Sequence, residues 1–288
     1  MYKKIILGSA QFGMKYGIAN TKGKITSNEV FKILNYIKRE NINFIDTARS
    51  YHSSEKAIGK YYKKTKKKFL IITKFSYKNN KNIKKQFEES FEALGYIPDT
   101  ILAHNYKDYL NPNFHKEIKM LKKFYPIKKV GVSLYSVPEL IKILKYKKPD
   151  VIQVPINILD KRFITKKIIK KLKQKSIKII GRSIFLQGLF FKNINYVFKK
   201  FKNVKNKYNL LIEIAISEKM TLGELALNWA YHLKDIDNIV IGVDSLSHLK
   251  KNLQNIKKKL TKKTYDKIYQ INLNKNKIIK PYLWKIKQ

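Results

Sequence analysis

The chain has 288 residues, a length that suits one barrel-sized domain or two ordinary ones. Its apolar fraction of 44% is typical of a packed globular protein, and the absence of cysteine excludes disulfides, cysteine-based zinc sites and thiol chemistry. The formal net charge of +43 leaves three classes of partner to weigh, which are nucleic acid, an anionic membrane surface and an anionic small molecule.

Short apolar runs of β type alternate with longer amphipathic stretches along the chain. The runs predict eight strands, at Lys4–Gly8, Asn43–Asp46, Phe69–Lys74, Thr100–His104, Lys129–Ser133, Val151–Val154, Ile177–Arg182 and Asn238–Gly242. This alternation indicates a mostly parallel sheet with helical crossovers. Six strands would favour an open doubly wound sheet, whereas eight favour a closed barrel. We therefore predict an α/β fold, a (β/α)8 TIM barrel that forms a single domain over residues 1–288.

The stretches between the strands predict helices. A capped start is expected at Ser27–Glu29, just before an apolar stretch with helical spacing. A second helix is predicted at Val137–Tyr146, with Pro138 in its first turn. The last two predicted helices are Leu222–His232 and Leu246–Ile256.

Polar side chains close several of the predicted strands. They are Asp46, Lys74, His104, Ser133, Gln153 and Arg182. Each adjoins apolar residues, so its burial would be costly without a partner. In a parallel barrel the carboxyl ends of the strands meet at one rim, where barrel enzymes build their sites. The sequence therefore predicts a functional site at this rim.

Asp46, Lys74 and His104 bring a carboxylate, an amine and an imidazole to the rim, and Tyr51 lies in the loop after the first of them. The lysine is expected to lower the pKa of the tyrosine from its usual ~10 while the aspartate holds the lysine charged. The tyrosine could then donate a proton to a carbonyl oxygen that the imidazole orients. No pair of histidines has the spacing of metal ligands, so no metal is predicted.

Several short segments occur in an order that covers nearly the whole chain. They are Leu7–Gly13, Phe44–Glu55, Ile72–Lys74, Leu94–Tyr96, Ala103–Asn105, Gly131–Ser133, Val151–Gln153 and Val240–Gly242. With this ordered set the chain resembles the aldo-keto reductase family. The resemblance implies hydride transfer between a nicotinamide cofactor and a carbonyl compound. It places the family's catalytic tetrad on Asp46, Tyr51, Lys74 and His104, with Tyr51 as the acid.

The same resemblance implies contacts with the nicotinamide end of the cofactor. Ser133 and Gln153 would bind the carboxamide, although Leu134 stands where the family usually has asparagine. Arg182, followed by Ser183, stands where the family often stacks an aromatic ring on the nicotinamide. A guanidinium plane can also stack on such a ring.

Further contacts are implied around the rest of the cofactor. Ser9 takes the place of a common threonine near the cofactor, and Gly242 opens the loop that would receive the adenosine end. In that loop Asp244 and Ser245 stand where members selective for NADP place a Ser or Thr and then a Lys or Arg. A carboxylate more often binds a ribose hydroxyl than a phosphate, so NADP(H) and NAD(H) both stay open. Asn252 matches the position that contacts adenine.

The predicted function is therefore reduction of an aldehyde or ketone with NAD(P)H. The stretches Gly8–Gly13 and Arg182–Gly188 resemble bacterial members linked to surface-polysaccharide and sugar metabolism, which implies a sugar-type carbonyl as substrate. Two alternatives are a non-catalytic regulatory barrel that binds the cofactor and a basic nucleic-acid-binding protein. The intact tetrad argues against the first of these.

The composition of the positive charge argues against the second alternative. Only four of the 63 basic residues are arginine, at Arg39, Arg49, Arg162 and Arg182. Arginine is the side chain suited to bidentate contacts with phosphates and bases. The lysines are spread along the chain, and Lys, Ile, Asn, Tyr and Phe, which have AT-rich codons, are abundant together. We predict a small-molecule carbonyl substrate and no nucleic-acid or membrane partner.

The sequence does not predict a targeting segment. The apolar stretch near its N-terminus is shorter than that of a secretory signal, and no run approaches the ~20 apolar residues of a membrane-spanning helix. We predict a cytoplasmic protein that is a monomer or a weak homo-oligomer.

Overall fold

A computed structural model describes residues 2–78, 82–256, 259–273 and 276–284. Eight strands pair in parallel in chain order, and the last pairs with the first, so the sheet closes into a barrel. The strands are β1 Ile5–Gly8, β2 Phe44–Asp46, β3 Leu70–Phe75, β4 Thr100–Ala103, β5 Lys129–Ser133, β6 Val151–Pro155, β7 Lys178–Arg182 and β8 Asn238–Gly242. The predicted fold class is confirmed, and each predicted strand end lies within about one residue of the observed end.

Helices follow the strands around the outside of the barrel. They are α1 Ala10–Gly13, α2 Ser27–Arg39, α3 Ser54–Thr65, α4 Ile83–Leu94, α5 Tyr106–Leu110, α6 Pro112–Phe124, α7 Val137–Tyr146, α8 Lys166–Gln174, α9 Ile194–Lys200, α10 Lys205–Ser217, α11 Leu222–Tyr231, α12 Leu246–Asn255 and α13 Lys262–Gln270. In the part of the chain that the structure describes, no helix has the length and apolar character needed to cross a membrane.

Several of the helices begin at capping side chains. Helix α2 buries Val30, Ile33, Leu34 and Ile37 along one stripe, as its 3.6-residue period requires. Its cap is Thr26, whose side chain accepts a hydrogen bond from the backbone N–H of Glu29. The capped start therefore lies one residue before the predicted one at Ser27, because the residue that caps a helix stands just outside its first turn.

A single layer of apolar side chains fills the barrel interior. This cluster is separate from the larger core between strands and helices, and it consists of Ile6, Phe44, Ile72, Leu102, Val151, Ile180 and Val240. Side chains two residues apart on a strand point to the same face. The next inward positions are Gly8, Asp46, Lys74, His104, Gln153, Arg182 and Gly242. The apolar layer therefore forms the floor beneath the polar rim.

A buried lysine fastens the C-terminal part of the chain to the barrel. Lys161, in the loop after β6, is 8% exposed, and burial lowers its pKa to about 8. Its ammonium Nζ donates to the carbonyl oxygens of Ile158 at 2.8 Å, Ile268 at 3.1 Å and Ile271 at 2.6 Å. Two of these carbonyls belong to the end of α13, where the Ile268 carbonyl also accepts from the backbone N–H of Ile271 at 3.2 Å. One cation therefore satisfies the terminus of the last helix.

Replacing this lysine should destabilise the fold. In a Lys161→Met variant the three carbonyl groups lose the ammonium donor, and only Ile268 keeps a backbone donor, so we expect the free energy of unfolding to fall by about 2–4 kcal/mol. Urea denaturation of the variant and the wild type measures this difference. Lys167→Met, at an exposed lysine on α8, is the matched control and should stay within about 0.5 kcal/mol of the wild type. Equal stabilities for the two variants would contradict this role of Lys161.

Candidate active site

An ion pair between Asp46 and Lys74 lies at the centre of the polar rim. Lys74 Nζ donates to both carboxylate oxygens of Asp46, at 2.8 and 2.7 Å, and to the backbone oxygen of Thr47 at 2.8 Å. Lys74 is 2% exposed and Asp46 is 4% exposed. Buried charges persist only when they are paired and hydrogen-bonded, and here all three ammonium protons have acceptors. The two side chains therefore hold each other charged in the interior.

Tyr51 lies next to this pair. Lys74 Nζ is 5.0 Å from the centroid of the Tyr51 ring, and the His104 ring meets the Tyr51 ring edge to face with 6.4 Å between the centroids. His104 directly follows β4, and its Nδ1 lies 3.5 Å from Ser50 Oγ. The structure therefore brings the four predicted tetrad residues into one cluster.

Gly13 allows the Tyr51 loop to pack directly against the end of α1. A Cβ added to Gly13, at the end of α1, would lie 1.8 Å from the carbonyl oxygen of Tyr51. No real Cβ atom approaches a carbonyl oxygen so closely, so only glycine allows this contact between the two segments. Gly13 closes the segment Leu7–Gly13 that resembles the family, and this contact is a physical reason for a glycine there.

A buried carboxylate ties down the same loop from the other side. Glu55, which is 1% exposed, pairs with Arg49 at 2.6 Å and accepts hydrogen bonds from Thr73 Oγ1 at 2.7 Å and Ser90 Oγ at 2.9 Å. Arg49 and Glu55 flank Tyr51 in the sequence, and Thr73 precedes Lys74. This network was not predicted from the sequence, and it connects the loop to β3 and α4.

The pKa of Tyr51 differs from the sequence-based expectation. Burial raises the pKa of Tyr51 well above its usual value, the Asp46 carboxylate raises it further, and the Arg182 guanidinium opposes both. The expectation that Lys74 lowers this pKa is wrong for this structure. Lys74 is bound to both oxygens of Asp46 and is not among the charges that lower this pKa, whereas the Asp46 carboxylate raises it. Tyr51 is consequently a protonated phenol.

The predicted site residues meet in part around one cavity of about 140 Å³. Those that line it are Ser9, Asp46, Tyr51, Arg182, Ser183, Gly242 and Asp244. Lys74, His104, Ser133, Gln153 and Asn252 are not among its lining residues. Tyr16 and Gln187 also line it, and neither was predicted as a site residue because both lie in segments without a periodic pattern.

A sequence model of the aldo/keto reductase family matches residues 4–273, which is nearly the whole chain. The chain belongs to the aldo/keto reductase family. The protein is therefore an NAD(P)H-dependent oxidoreductase, and the family resemblance of the sequence is confirmed. A comparison with curated proteins finds no significant match.

Solved structures of other aldo-keto reductases share the fold. An aldo-keto reductase from Bacillus halodurans, in its holo form, is 19% identical and superposes with a TM-score of 0.76 over 94% of this chain and 92% of its own. A glycerol dehydrogenase from Gluconobacter oxydans is 20% identical, with a TM-score of 0.73 over 93% of this chain and 90% of its own. At these identities the likeness concerns the fold.

Ser9 serves the framework of this aldo-keto reductase as well as lining its cavity. Its hydroxyl donates to the backbone oxygen of Asp46 at 2.9 Å and lies 2.7 Å from the Ser54 hydroxyl, which donates to it. The single proton of the Ser9 hydroxyl is therefore already used, and only acceptor capacity remains for a cofactor.

Two buried acceptors of the reductase suit the groups that a nicotinamide cofactor offers. Gln153 Nε2 donates to Asp46 Oδ1 at 2.6 Å, and Gln153 Oε1 is buried without a partner in the described part of the chain. An unpaired buried acceptor is costly, and the amide N–H of a carboxamide would satisfy it. Ser133, the strand partner of Gln153, is buried beside it.

The second such acceptor is Asp244 Oδ1, which is also buried and unpartnered among the described residues. Burial raises the pKa of Asp244, while His248, Gln11 and Lys22 oppose this shift. A Cβ at Gly242 would lie 2.9 Å from Gln11 Nε2, so the chain is closely packed here. Asn252 lies on α12, outside the cavity lining.

The segment after β7 has an unusual backbone. Ser183, Leu186 and Gln187 have positive φ angles of 62°, 49° and 54°, and Gly188 has 90°. Non-glycine residues rarely adopt this region, and such strain concentrates at ligand-binding segments. The carbonyl of Gln187 accepts from the backbone N–H of Ile18 at 2.8 Å, which fixes the segment against the loop after α1.

His104 should remain neutral over the physiological pH range. Burial, with the positive charges of Lys74 and Arg182, lowers the pKa of His104 to about 3. As the pH falls through the ordinary histidine pKa near 6.5, His104 binds a proton in the unfolded state but not in the folded state. This group therefore lowers the free energy of unfolding in acid. Between pH 7 and pH 5 the free energy of unfolding of the wild type should therefore fall by about 2 kcal/mol more than that of His104→Gln, which lacks this group.

Urea denaturation at both pH values checks this expectation, with His52→Gln at an exposed imidazole as the control. In the wild type, the NMR resonances of the His104 ring should show no titration near pH 6.5. A full titration there would contradict the neutral imidazole.

Proposed function

We propose that this reductase converts an aldehyde or ketone, of the sugar type, to the alcohol, with Tyr51 as general acid. The observation that carries the proposal is the buried Asp46–Lys74 pair beside the Tyr51 ring, with Asp46 and Tyr51 lining one cavity. Oxidation of the alcohol would use the same groups in the reverse sense.

The cofactor would lie across the rim. We propose that Ser133 and Gln153 hold its carboxamide, that Arg182 covers the nicotinamide ring, and that Ser9 and Ser183 line its path. The adenosine end would lie at Gly242, Asp244 and Asn252. The bound cofactor supplies the hydride. Two buried oxygens, on Gln153 and Asp244, have no partner among the residues that the structure describes, and they support this placement because a carboxamide or a ribose hydroxyl would provide the donor.

Tyr51 would keep its proton until negative charge develops on the substrate oxygen. Its raised pKa prevents premature loss of that proton, and a phenol hydroxyl is a suitable hydrogen-bond donor to a carbonyl oxygen. As negative charge moves onto that oxygen, the proton can transfer from the phenol, and the resulting phenolate would lie near the Lys74 ammonium. A neutral His104 can donate an N–H bond to the same oxygen and so help to orient the carbonyl.

We also propose a setting for this reaction. The protein would act in the cytoplasm as a monomer or weak homo-oligomer, on a small-molecule substrate, without nucleic acid, membrane or metal. The dispersed lysines and scarce arginines support the absence of a nucleic-acid role.

Removal of the Tyr51 hydroxyl should abolish most of the turnover. We expect Tyr51→Phe to lower kcat by at least about 100-fold, because general acid catalysis typically contributes that much. The measurement follows nicotinamide absorbance with a panel of aldehydes, ketones and sugars, and cofactor binding is followed separately by fluorescence. Tyr196→Phe, at an exposed tyrosine, is the control.

Unchanged turnover in Tyr51→Phe would overturn the role of this residue. Cofactor binding by the wild type without turnover of any compound would instead favour the regulatory barrel.

Asp244 should favour NADH over NADPH. Its carboxylate can accept a hydrogen bond from a ribose hydroxyl but repels a 2′-phosphate. A second carboxylate lies close by, because Glu29 Oε1 accepts from the backbone N–H of Leu246 at 2.7 Å, the first residue of α12. We therefore expect Asp244→Ser to lower the KM for NADPH about tenfold and to raise that for NADH.

Steady-state kinetics with both cofactors test this preference. Asp235→Ser, at an exposed carboxylate, is the control and should change neither KM. A wild-type enzyme that prefers NADPH would show that Asp244 does not exclude the phosphate.

A further inference from the structure

One cation at the Tyr51 end of the cavity has no carboxylate partner among the described residues. It is Arg182, at the end of β7. Arg49 pairs with Glu55 and Glu89, and Arg162 pairs with Asp160. Arg182 differs from both, although it is also partly withdrawn from solvent. A guanidinium in such a place normally has an anion to bind.

The contacts of Arg182 leave donors free. Its Nη2 donates to the backbone oxygen of Leu134 at 3.1 Å, and its Nη1 donates to Ser183 Oγ at 3.2 Å. The guanidinium carbon lies 4.3 Å from the centroid of the Tyr135 ring. A guanidinium carries five N–H donors, so three remain without a partner in the described residues. The ring and the two hydrogen bonds fix the plane of the group and leave its other donors for a ligand.

The charge of Arg182 is not cancelled at this end of the cavity. Asp46 and Lys74 are paired with each other by direct contact, so their two charges sum to zero. The Arg182 charge lowers the pKa values of His104, Tyr51 and Tyr16, so it acts on the groups around the reacting position. The cavity therefore has a net positive end beside the proposed acid.

The carboxylate that lines the cavity elsewhere does not supply the missing partner. The charges that act on Asp244 are those of His248 and Lys22. Arg182 is not among them, and no salt bridge joins the two residues in the described part of the chain. The cavity thus has two distinct ends, one with Asp244 and one with Arg182.

Tyr16 adds a second donor to the Arg182 end. Its hydroxyl accepts a hydrogen bond from Gln187 Nε2 at 3.3 Å. Burial raises the pKa of Tyr16 to about 12, so the hydroxyl keeps its own proton and can donate it. A fixed guanidinium and a phenol hydroxyl form a donor set suited to the oxygens of a carboxylate or a phosphate. The cavity volume of about 140 Å³ suits a compact molecule.

We propose that the carbonyl substrate of this reductase carries an anionic group, a carboxylate or a phosphate, which Arg182 and Tyr16 bind while the carbonyl lies at Tyr51. This inference rests on the proposed function, because it assumes that reduction occurs at Tyr51. It is compatible with a role of Arg182 toward the cofactor. Stacking on a ring uses the face of the guanidinium, whereas anion binding uses the N–H donors at its edge.

Matched substrate pairs test the proposal. One pair is glyceraldehyde 3-phosphate and glyceraldehyde, and the other is succinic semialdehyde and butyraldehyde, all at constant ionic strength. We expect the wild type to show a kcat/KM at least about 10-fold higher for the charged member of one pair, mainly through KM. The pair that shows the higher kcat/KM for its charged member identifies whether the anionic group is a phosphate or a carboxylate.

Variants connect the preference to this side chain. In Arg182→Met the ratio of kcat/KM between charged and neutral members should fall about 10-fold or more, and Arg182→Lys should retain part of it as a point charge. Arg39→Met, at an exposed arginine on α2, should leave the ratio unchanged. Calorimetric titration of the protein with glyceraldehyde 3-phosphate and with succinic semialdehyde measures binding without turnover, and Arg182→Met should weaken it.

Each result decides the matter. A wild-type ratio near one in both pairs, or a ratio that Arg182→Met leaves unchanged, would overturn the proposal. Equal losses for charged and neutral substrates, with weaker cofactor binding, would assign Arg182 to the cofactor alone. Failure of the proposed function would give a distinct result, in which no compound is reduced or the Tyr51→Phe variant stays active. Calorimetry would still show whether Arg182 binds the anion.

Discussion

Two opposite charges are buried together at the rim of this barrel, and each is stable there only because the other is its partner. Asp46 and Lys74 come from adjacent strands, and their contact uses every proton of the ammonium group. The backbone of Asp46 is held by Ser9 and its carboxylate by Gln153. The pair therefore connects β1, β2, β3 and β6 in one hydrogen-bonded unit. The chemical roles of Tyr51 and His104 depend on where they lie relative to this unit.

The barrel makes such a pair possible by separating an apolar layer from a polar one. Two residues before Asp46 and Lys74 on their strands, Phe44 and Ile72 pack in the barrel interior. Their packing excludes water from below and fixes the strands, so the polar layer above is held at defined distances. The strand period of two converts a linear pattern, apolar and then polar, into a stack of two layers.

Much of the fold could be predicted because the strands carry strong local signals. Runs such as Leu70–Phe75 and Val151–Pro155 are rich in branched apolar residues, so their ends could be located closely. The meeting of Asp46 with Lys74 also followed, since the carboxyl ends of parallel strands share a rim.

The features that could not be predicted are contacts between side chains that lie far apart in the sequence and meet only in the folded protein. The pKa of Tyr51 was misjudged because the sequence does not show that Lys74 is fully engaged by Asp46. Tyr16 and Gln187 are far apart in sequence and meet only because two loops pack together. The stacking of Arg182 on Tyr135 likewise depends on how the end of β7 packs against the loop after β5, across the intervening β6. None of these contacts leaves a periodic pattern in the sequence.

The contact between Gly13 and the Tyr51 carbonyl has a consequence for engineering. Any side chain at position 13 must displace the backbone that carries the tyrosine, so a randomised library that includes this position would lose most of its members to a shifted loop. Residues 182–191, by contrast, border the same cavity from a separate segment. New substrate preferences should therefore be sought in that segment while position 13 is kept constant.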